Sequence, residues 1–214
     1  MVLVRSTRRV LYGNLTQSSY RDDIEDIPAM IKNGSSQNRV INKSLFFSAT
    51  RLMTLKTRTS AAYKGIMNLF YREGCRDLVS GTGMDVVNSM NEALDVHHIF
   101  PKTYCKSMGY SMEMCDSIVN KTPLLAASNR AIGSNPPSVY SAKIMRESSL
   151  SESEFRKRVE SNLIDYDAFI SDDFKRYFVN RAKRILLLIE KVMGKPITDK
   201  DSEQTIELFG ASLA

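Results

Sequence analysis

The sequence predicts an α+β protein that is mostly helical, with a short β-containing segment set between helical flanks. Three patterns predict this. Tyr63, Ile66, Met67, Phe70 and Tyr71 recur at the spacing of a helix packed on a core. A longer stripe runs through Phe174, Tyr177, Phe178, Arg181, Ala182, Ile185, Leu188, Ile189 and Val192. Between them lie two short runs that suit strands, 94–100, ended by Pro101, and 116–125.

Taken in order, residues 1–83 read as a basic, mainly helical region after an irregular start. Asn33-Gly34-Ser35-Ser36 and Ser80-Gly81-Thr82-Gly83 read as loops within it. Residues 84–140 hold the β segment. Leu94, Val96, Ile99 and Phe100 suit a short strand, which Pro101 ends by removing a backbone donor. Asp116 to Leu125 supplies a second strand or a loop running into one, and Asn129 to Ile132 opens a helix or turn. Gly133 to Pro137 breaks the chain sharply before the helical region 141–214. Gly194 and Pro196 stop the long helix, and the tail residues Ile206, Leu208, Phe209 and Leu213 either dock or fray.

Composition narrows the function class. The chain has 214 residues, of which 43% are hydrophobic and 25% charged, an ordinary globular balance able to bury a core. No apolar run reaches the roughly 20 residues that span a bilayer, and the arginines near the start lack a following apolar stretch. The expectation is a cytoplasmic protein without a membrane. The net charge of +6 arises wholly in residues 1–60, where ten Lys/Arg, including Arg5, Arg8 and Arg9, face four acids. Such a region can steer a polyanion, although each charge alone is equally a solvated surface group. Cys75, Cys105 and Cys115 are odd in number and lack a CxxC spacing, which favours free thiols over a zinc or redox site.

The chemistry concentrates in Asp95-Val96-His97-His98-Ile99-Phe100-Pro101-Lys102. The chain has two histidines and both stand here. Histidine titrates nearest neutral pH, so it serves as general base and as metal ligand. Hydrolysis of a phosphodiester needs an activated water, charge stabilisation at phosphorus and help for the leaving oxygen. His98 suits the first task. His97 and Asn129 suit the binding of a divalent ion that keeps most of its waters. Adjacent strand residues point to opposite faces, so for both rings to reach one site the backbone is expected to leave strand geometry near them.

The run 97–102, then Asp116-Ser117-Ile118-Val119-Asn120-Lys121-Thr122-Pro123-Leu124-Leu125, then Asn129-Arg130-Ala131-Ile132-Gly133 and Pro136-Pro137-Ser138-Val139-Tyr140 resembles an HNH (His-Me finger) endonuclease. More narrowly it is similar to the C-terminal nuclease domain of GmrSD-type modification-dependent restriction and phage-defence proteins. The nine-residue step from Asn120 to Asn129 also resembles the HNH module of RNA-guided CRISPR effectors. The resemblance covers about residues 95–140 and, more loosely, the flanking helix around Arg181.

It implies a ββα-metal motif embedded between the helical flanks. In that motif His98 is the general base, while His97 and Asn129 are metal ligands. Asn120 is the asparagine that ties the loop through backbone hydrogen bonds, and Asp95 is an acid near the metal. Arg130 and Lys102 become phosphate contacts. The implied activity is DNA cleavage, nicking or double-strand, with Mg²⁺ as cofactor and Mn²⁺ able to substitute. The implied setting is restriction or antiviral defence, possible homodimers included. The family's N-terminal nucleotide-hydrolysing or sensor domain, with its DGQQR-like motif, is not found in this chain. Two other readings stay open: a non-catalytic nucleic-acid-binding or interaction module with an HNH-like fold, and a zinc-stabilised fold using the histidines and cysteines, whose spacing is poor.

Overall fold

A computed structural model describes residues 21, 24–28, 31–32, 47–85 and 94–214. Arg5, Arg8, Arg9 and the expected loop at 33–36 lie outside the described residues. The protein is α+β and mostly helical. Its described elements run α1 (Arg51–Thr54), α2 (Ala61–Arg72), β1 (Leu94–His98), α3 (Lys102–Ser107), α4 (Met112–Asp116), a 3-10 turn (Ile118–Asn120), β2 (Lys121–Leu125), α5 (Ala126–Ile132), α6 (Pro137–Glu147), α7 (Glu152–Glu160), α8 (Tyr166–Ile170), α9 (Phe174–Met193) and α10 (Glu203–Phe209). Among the described residues no helix is long and apolar enough to cross a membrane.

Helix ends follow local chemistry. The Ser60 side chain accepts the Tyr63 N–H to start α2, and Asp173 does the same for the Arg176 N–H at the start of α9. Gly194 stops α9 in the left-handed conformation, φ +66°, which a side chain would strain. Helix α2 buries Tyr63, Ile66, Met67 and Phe70, and α9 buries ten side chains along its stripe. Phe209 and Leu213 join the same core, so the tail docks, while Ile206 stays exposed.

The strands β1 and β2 form one antiparallel pair in the register Leu94↔Leu125, Asp95↔Leu124, Val96↔Pro123, His97↔Thr122 and His98↔Lys121. The expected departure from strand geometry at the two histidines does not occur. Pairing continues past them, since the Ile99 N–H donates to Asn120 O at 3.0 Å, and Pro101 acts only after the strand has ended. His97 and His98 therefore face opposite sides of the ribbon. The segment from Asp116 also differs from a single strand. Asp116 ends α4, a 3-10 turn follows, and only the last five residues pair.

After β2 the chain enters α5 without a loop, three residues earlier than the sequence suggested. The cause is Asp77, a fully buried carboxylate. It accepts Leu125 N–H at 2.9 Å and Ser128 Oγ–H at 2.8 Å, placing negative charge at the start of α5. The same carboxylate accepts Val79 N–H and Ser80 N–H, so one side chain ties the 77–80 turn to the strand–helix junction. Apolar side chains from all three sequence regions form one continuous core, from Phe47 through Ile99, Phe100 and Val119 to Phe178 and Leu213.

Replacing Asp77 with Ala would leave these donors buried without an acceptor. A loss of about 3–5 kcal/mol in urea unfolding is expected, because each orphaned buried donor costs about 1–3 kcal/mol and not all stay dry. A loss under about 1 kcal/mol would show that the junction does not depend on Asp77.

Candidate functional site

The hairpin and α5 bring the predicted residues into two groups, one on each face of β1. On the first face lie Asp95 and His97, two residues apart on the strand, with Asn129 from the middle of α5. His97 Nδ1–H donates to Asn129 Oδ1 at 2.8 Å, and Asn129 Nδ2 donates to Asp95 Oδ2 at 2.5 Å. Arg58, just before α2, closes the chain on Asp95 Oδ1 at 2.6 Å.

His97 is 3% exposed, and burial lowers its pKa to about 4, against a smaller raising effect of the Asn129 hydrogen bond. The imidazole is thus neutral at pH 7, the form that ligates metals. Its Nε2 is buried with no hydrogen-bond partner among the described residues, and the ring meets Tyr140 edge to face at 5.8 Å. Burial raises the pKa of Asp95, but the Val96 N–H, Asn129 and Arg58 outweigh it and hold the carboxyl below its ordinary value.

The 2.8 Å between His97 Nδ1 and Asn129 Oδ1 is an ordinary hydrogen-bond length, and it sets side by side an imidazole nitrogen and an amide oxygen, both of the kind that ligate a divalent cation. Ion binding there requires the proton to leave Nδ1 for Nε2. The donor set is one imidazole, one amide oxygen and one carboxylate. No cluster of three or more His, Cys, Asp or Glu that could hold a metal occurs among the described residues. All three cysteines are free and buried.

On the opposite face, His98 Nε2–H donates to Asp116 Oδ1 at 3.0 Å. Lys102 and Lys121 each reach the same oxygen at 2.9 Å. Lys121 is the cross-strand partner of His98, so both must face the same side. Burial pushes the Asp116 carboxyl up, but its bonds to Lys102, Lys121 and His98 prevail and hold it well below the usual carboxylate range. Burial lowers the pKa of His98; Asp116 raises it and the two lysines lower it, with a net lowering. Charge on His98 also lowers the pKa of His97, so the two rings influence each other across the strand.

Asn120 belongs to neither face. Fully buried, its Oδ1 accepts Phe100 N–H at 3.0 Å while Nδ2 donates to Phe100 O and Cys115 O, both at 2.8 Å. Tyr140 adds a bond from its hydroxyl to Ile99 O at 2.9 Å. The Phe100 ring packs at 4.7 Å from Tyr177 and 5.2 Å from Phe174 on α9. The turn after the histidines is therefore fixed from three directions. Arg130, next to Asn129, is exposed and bonds no described side chain; Lys102 is engaged by Asp116.

Arg58, Asp116, Lys121 and Tyr140 were not assigned roles from the sequence. Asp116 and Lys121 flank Asn120 inside the quoted motif, which was the available signal. Arg58 lies 37 residues from its partner and gave none.

No protein-family model matches the chain. An uncharacterized protein of Methanocaldococcus jannaschii is similar to it, 28% identical over 206 residues that cover 85% of this chain and 34% of the relative. The chain spans about a third of the length of that relative.

The titration of His97 has a consequence for stability without metal. With a folded pKa of about 4 against 6.5 unfolded, the unfolded chain takes the proton first. The stability this site contributes is whole above pH 6.5 and is lost as pH falls toward 4. In EDTA, unfolding free energy should drop by about 3 kcal/mol over that interval, with His98 adding slope of the same sign. His97→Gln should flatten the slope by nearly one proton per molecule. An unchanged slope would mean that His97 is not the titrating group.

Proposed function

We propose that this chain is a metal-dependent DNA endonuclease of the HNH class, hydrolysing phosphodiester bonds, with β1, β2 and α5 forming its ββα-metal motif. The observation that carries the reading is the contact of His97 on β1 with Asn129 on α5, one residue before His98; because the two rings leave opposite faces of β1, the scissile phosphate would have to lie across the end of the strand, where β1 stops at His98. Residues 32 apart in sequence are thereby held in hydrogen-bond contact, neighbours as two ligands of one cation have to be. The resemblance implies the same pair as ligands.

In this reading His97, Asn129 and Asp95 would hold the ion. A bound Mg²⁺, with Mn²⁺ able to replace it, would neutralise charge developing on the phosphate and the leaving oxygen. The remaining work falls to the chain itself. His98 is neutral near pH 7 and donates through Nε2, which leaves the Nδ1 lone pair to take a proton from the attacking water. Asn120 holds the turn 99–101 by its backbone, so the base keeps its distance from the ligands without itself touching DNA. Arg130, exposed beside Asn129, is suited to a DNA phosphate. Restriction or antiviral defence, a cytoplasmic setting, homodimers and a separate sensor domain belong to the same proposal and rest on the resemblance alone.

The test is incubation of supercoiled plasmid with wild type, His98→Ala and Asn129→Ala in EDTA, Mg²⁺ or Mn²⁺. Wild type with metal should give nicked or linear product. His98→Ala should lose about 100-fold or more in rate, as removal of a general base does. Asn129→Ala should need more metal for the same rate. Duplex binding without cleavage in any metal would instead favour the non-catalytic module. Equal cleavage by wild type and His98→Ala would refute the assignment of the base.

A further inference from the structure

The carboxylate of Asp116 is more tightly held than an ordinary surface acid, and what it holds in turn is His98. Lys102 and Lys121 both donate to Oδ1 at 2.9 Å, and Lys121, 4% exposed, also donates to Lys56 O at 2.6 Å. The backbone at Asp116 is pinned as well. Ser117 Oγ–H caps Met114 O at 2.9 Å, and the buried Asn120 amide holds Cys115 O. The acid is thus fixed by two ammonium groups and by its neighbours' backbone, independently of His98.

The third donor on that same oxygen is His98 Nε2–H at 3.0 Å. A carboxylate can only accept there, so the proton sits on Nε2 and the lone pair on Nδ1. Among the described residues nothing bonds Nδ1. A ring on the last residue of a strand, about a quarter exposed, has no other hydrogen bond to set its χ2 angle. Removing the acid would leave the imidazole free to turn and would leave two ammonium groups beside it with no counter-charge.

We propose that Asp116 is a positioning residue for the base, a fixed carboxylate that holds the His98 ring by Nε2–H and presents Nδ1 to the reacting water. The inference rests on the nuclease reading and adds to it a residue that neither the resemblance nor the ligand geometry assigns. Asp116 touches neither substrate nor metal in this scheme and acts through His98 alone. A purely structural role for Asp116 predicts that stability and rate fall together. A positioning role predicts that the rate falls at constant DNA affinity.

The experiment uses the full chain as wild type, Asp116→Ala, Asp116→Asn and His98→Ala. Four quantities are measured: single-turnover plasmid cleavage with Mn²⁺, duplex Kd in EDTA, Tm, and the imidazole N–H proton resonances. With two histidines in the chain, His98 is assigned by its loss in one variant. Wild type should show a His98 N–H signal protected from water. Asp116→Ala should lose it and cleave about 100-fold more slowly, while Kd does not weaken because two lysines are released. Asp116→Asn keeps an oxygen acceptor and should recover the signal and about tenfold of the rate at a similar Tm.

Cleavage by Asp116→Ala within about twofold of wild type, with His98→Ala inactive, would overturn the positioning role and leave the nuclease reading standing. Equal losses in Asp116→Ala and Asp116→Asn that track Tm would also overturn it. An inactive wild type would overturn the nuclease reading, and this inference with it.

Discussion

A buried guanidinium holds the hairpin in place. Arg181 on α9 is fully buried, and no carboxylate among the described residues bonds it. Instead it donates to Val119 O at 2.6 Å, Lys121 O at 2.8 Å and Asn162 O at 3.2 Å, and it lies over the Phe70 ring at 5.3 Å. Tyr177, one turn earlier, adds its hydroxyl to Val119 O. Taking a charge out of water costs several kcal/mol, and here carbonyl dipoles and an aromatic face offset it in place of a counter-ion. The planar guanidinium aims Nε–H at Asn162 O and its two Nη1 hydrogens at Val119 O and Lys121 O, while Nη2 has no partner among the described residues. Arg181 thereby joins the 3-10 turn, the first residue of β2, the turn after α7 and the face of α2.

That clamp lies directly behind the candidate site. Val119 and Lys121 flank Asn120, so the segment held by Arg181 from the core side is the one whose amide holds Phe100 and Cys115 on the other. The two histidines inherit this rigidity through the register with Lys121 and Thr122. A site whose members must stay within a fraction of an ångström is best built on such regular, doubly held elements. The same regularity separates the rings. His97 is turned inward, neutral and paired with an amide, while His98 is half-buried among a carboxylate and two lysines. Environment alone gives two identical side chains in adjacent positions different chemistry.

Much of the helical scaffold was legible in the sequence because it is written in periodicity. The stripes at 63–71 and 174–192 emerge as the buried faces of α2 and α9, and Gly194 ends the latter as expected. Arg181 stood on the core face of that stripe, but its clamp could not be read, since its acceptors are backbone carbonyls that carry no side-chain signal. The short helices α3 and α4 were missed for a related reason. Five or six residues show too little period, and Ser111 and tertiary contacts fix them. The start of α5 was placed late because the acid that holds it, Asp77, lies 48 residues upstream of Leu125. At the site, residue types and spacing were legible but the division into faces was not. Pro101 suggested a distorted strand end, whereas Asn120 O extends the pairing beyond the histidines.

The assignment on which the reaction depends is His97 to the ion and His98 to the water, across the end of β1 where the strand stops. Electron spin-echo modulation of the Mn²⁺-loaded protein tests it directly, because the spectrum reports whether an imidazole nitrogen is bound to the ion. Nitrogen modulation from one imidazole is expected, abolished in His97→Gln and retained in His98→Ala. Modulation that survives in His97→Gln and vanishes in His98→Ala would contradict the assignment, as would Mn²⁺ bound without any nitrogen signal.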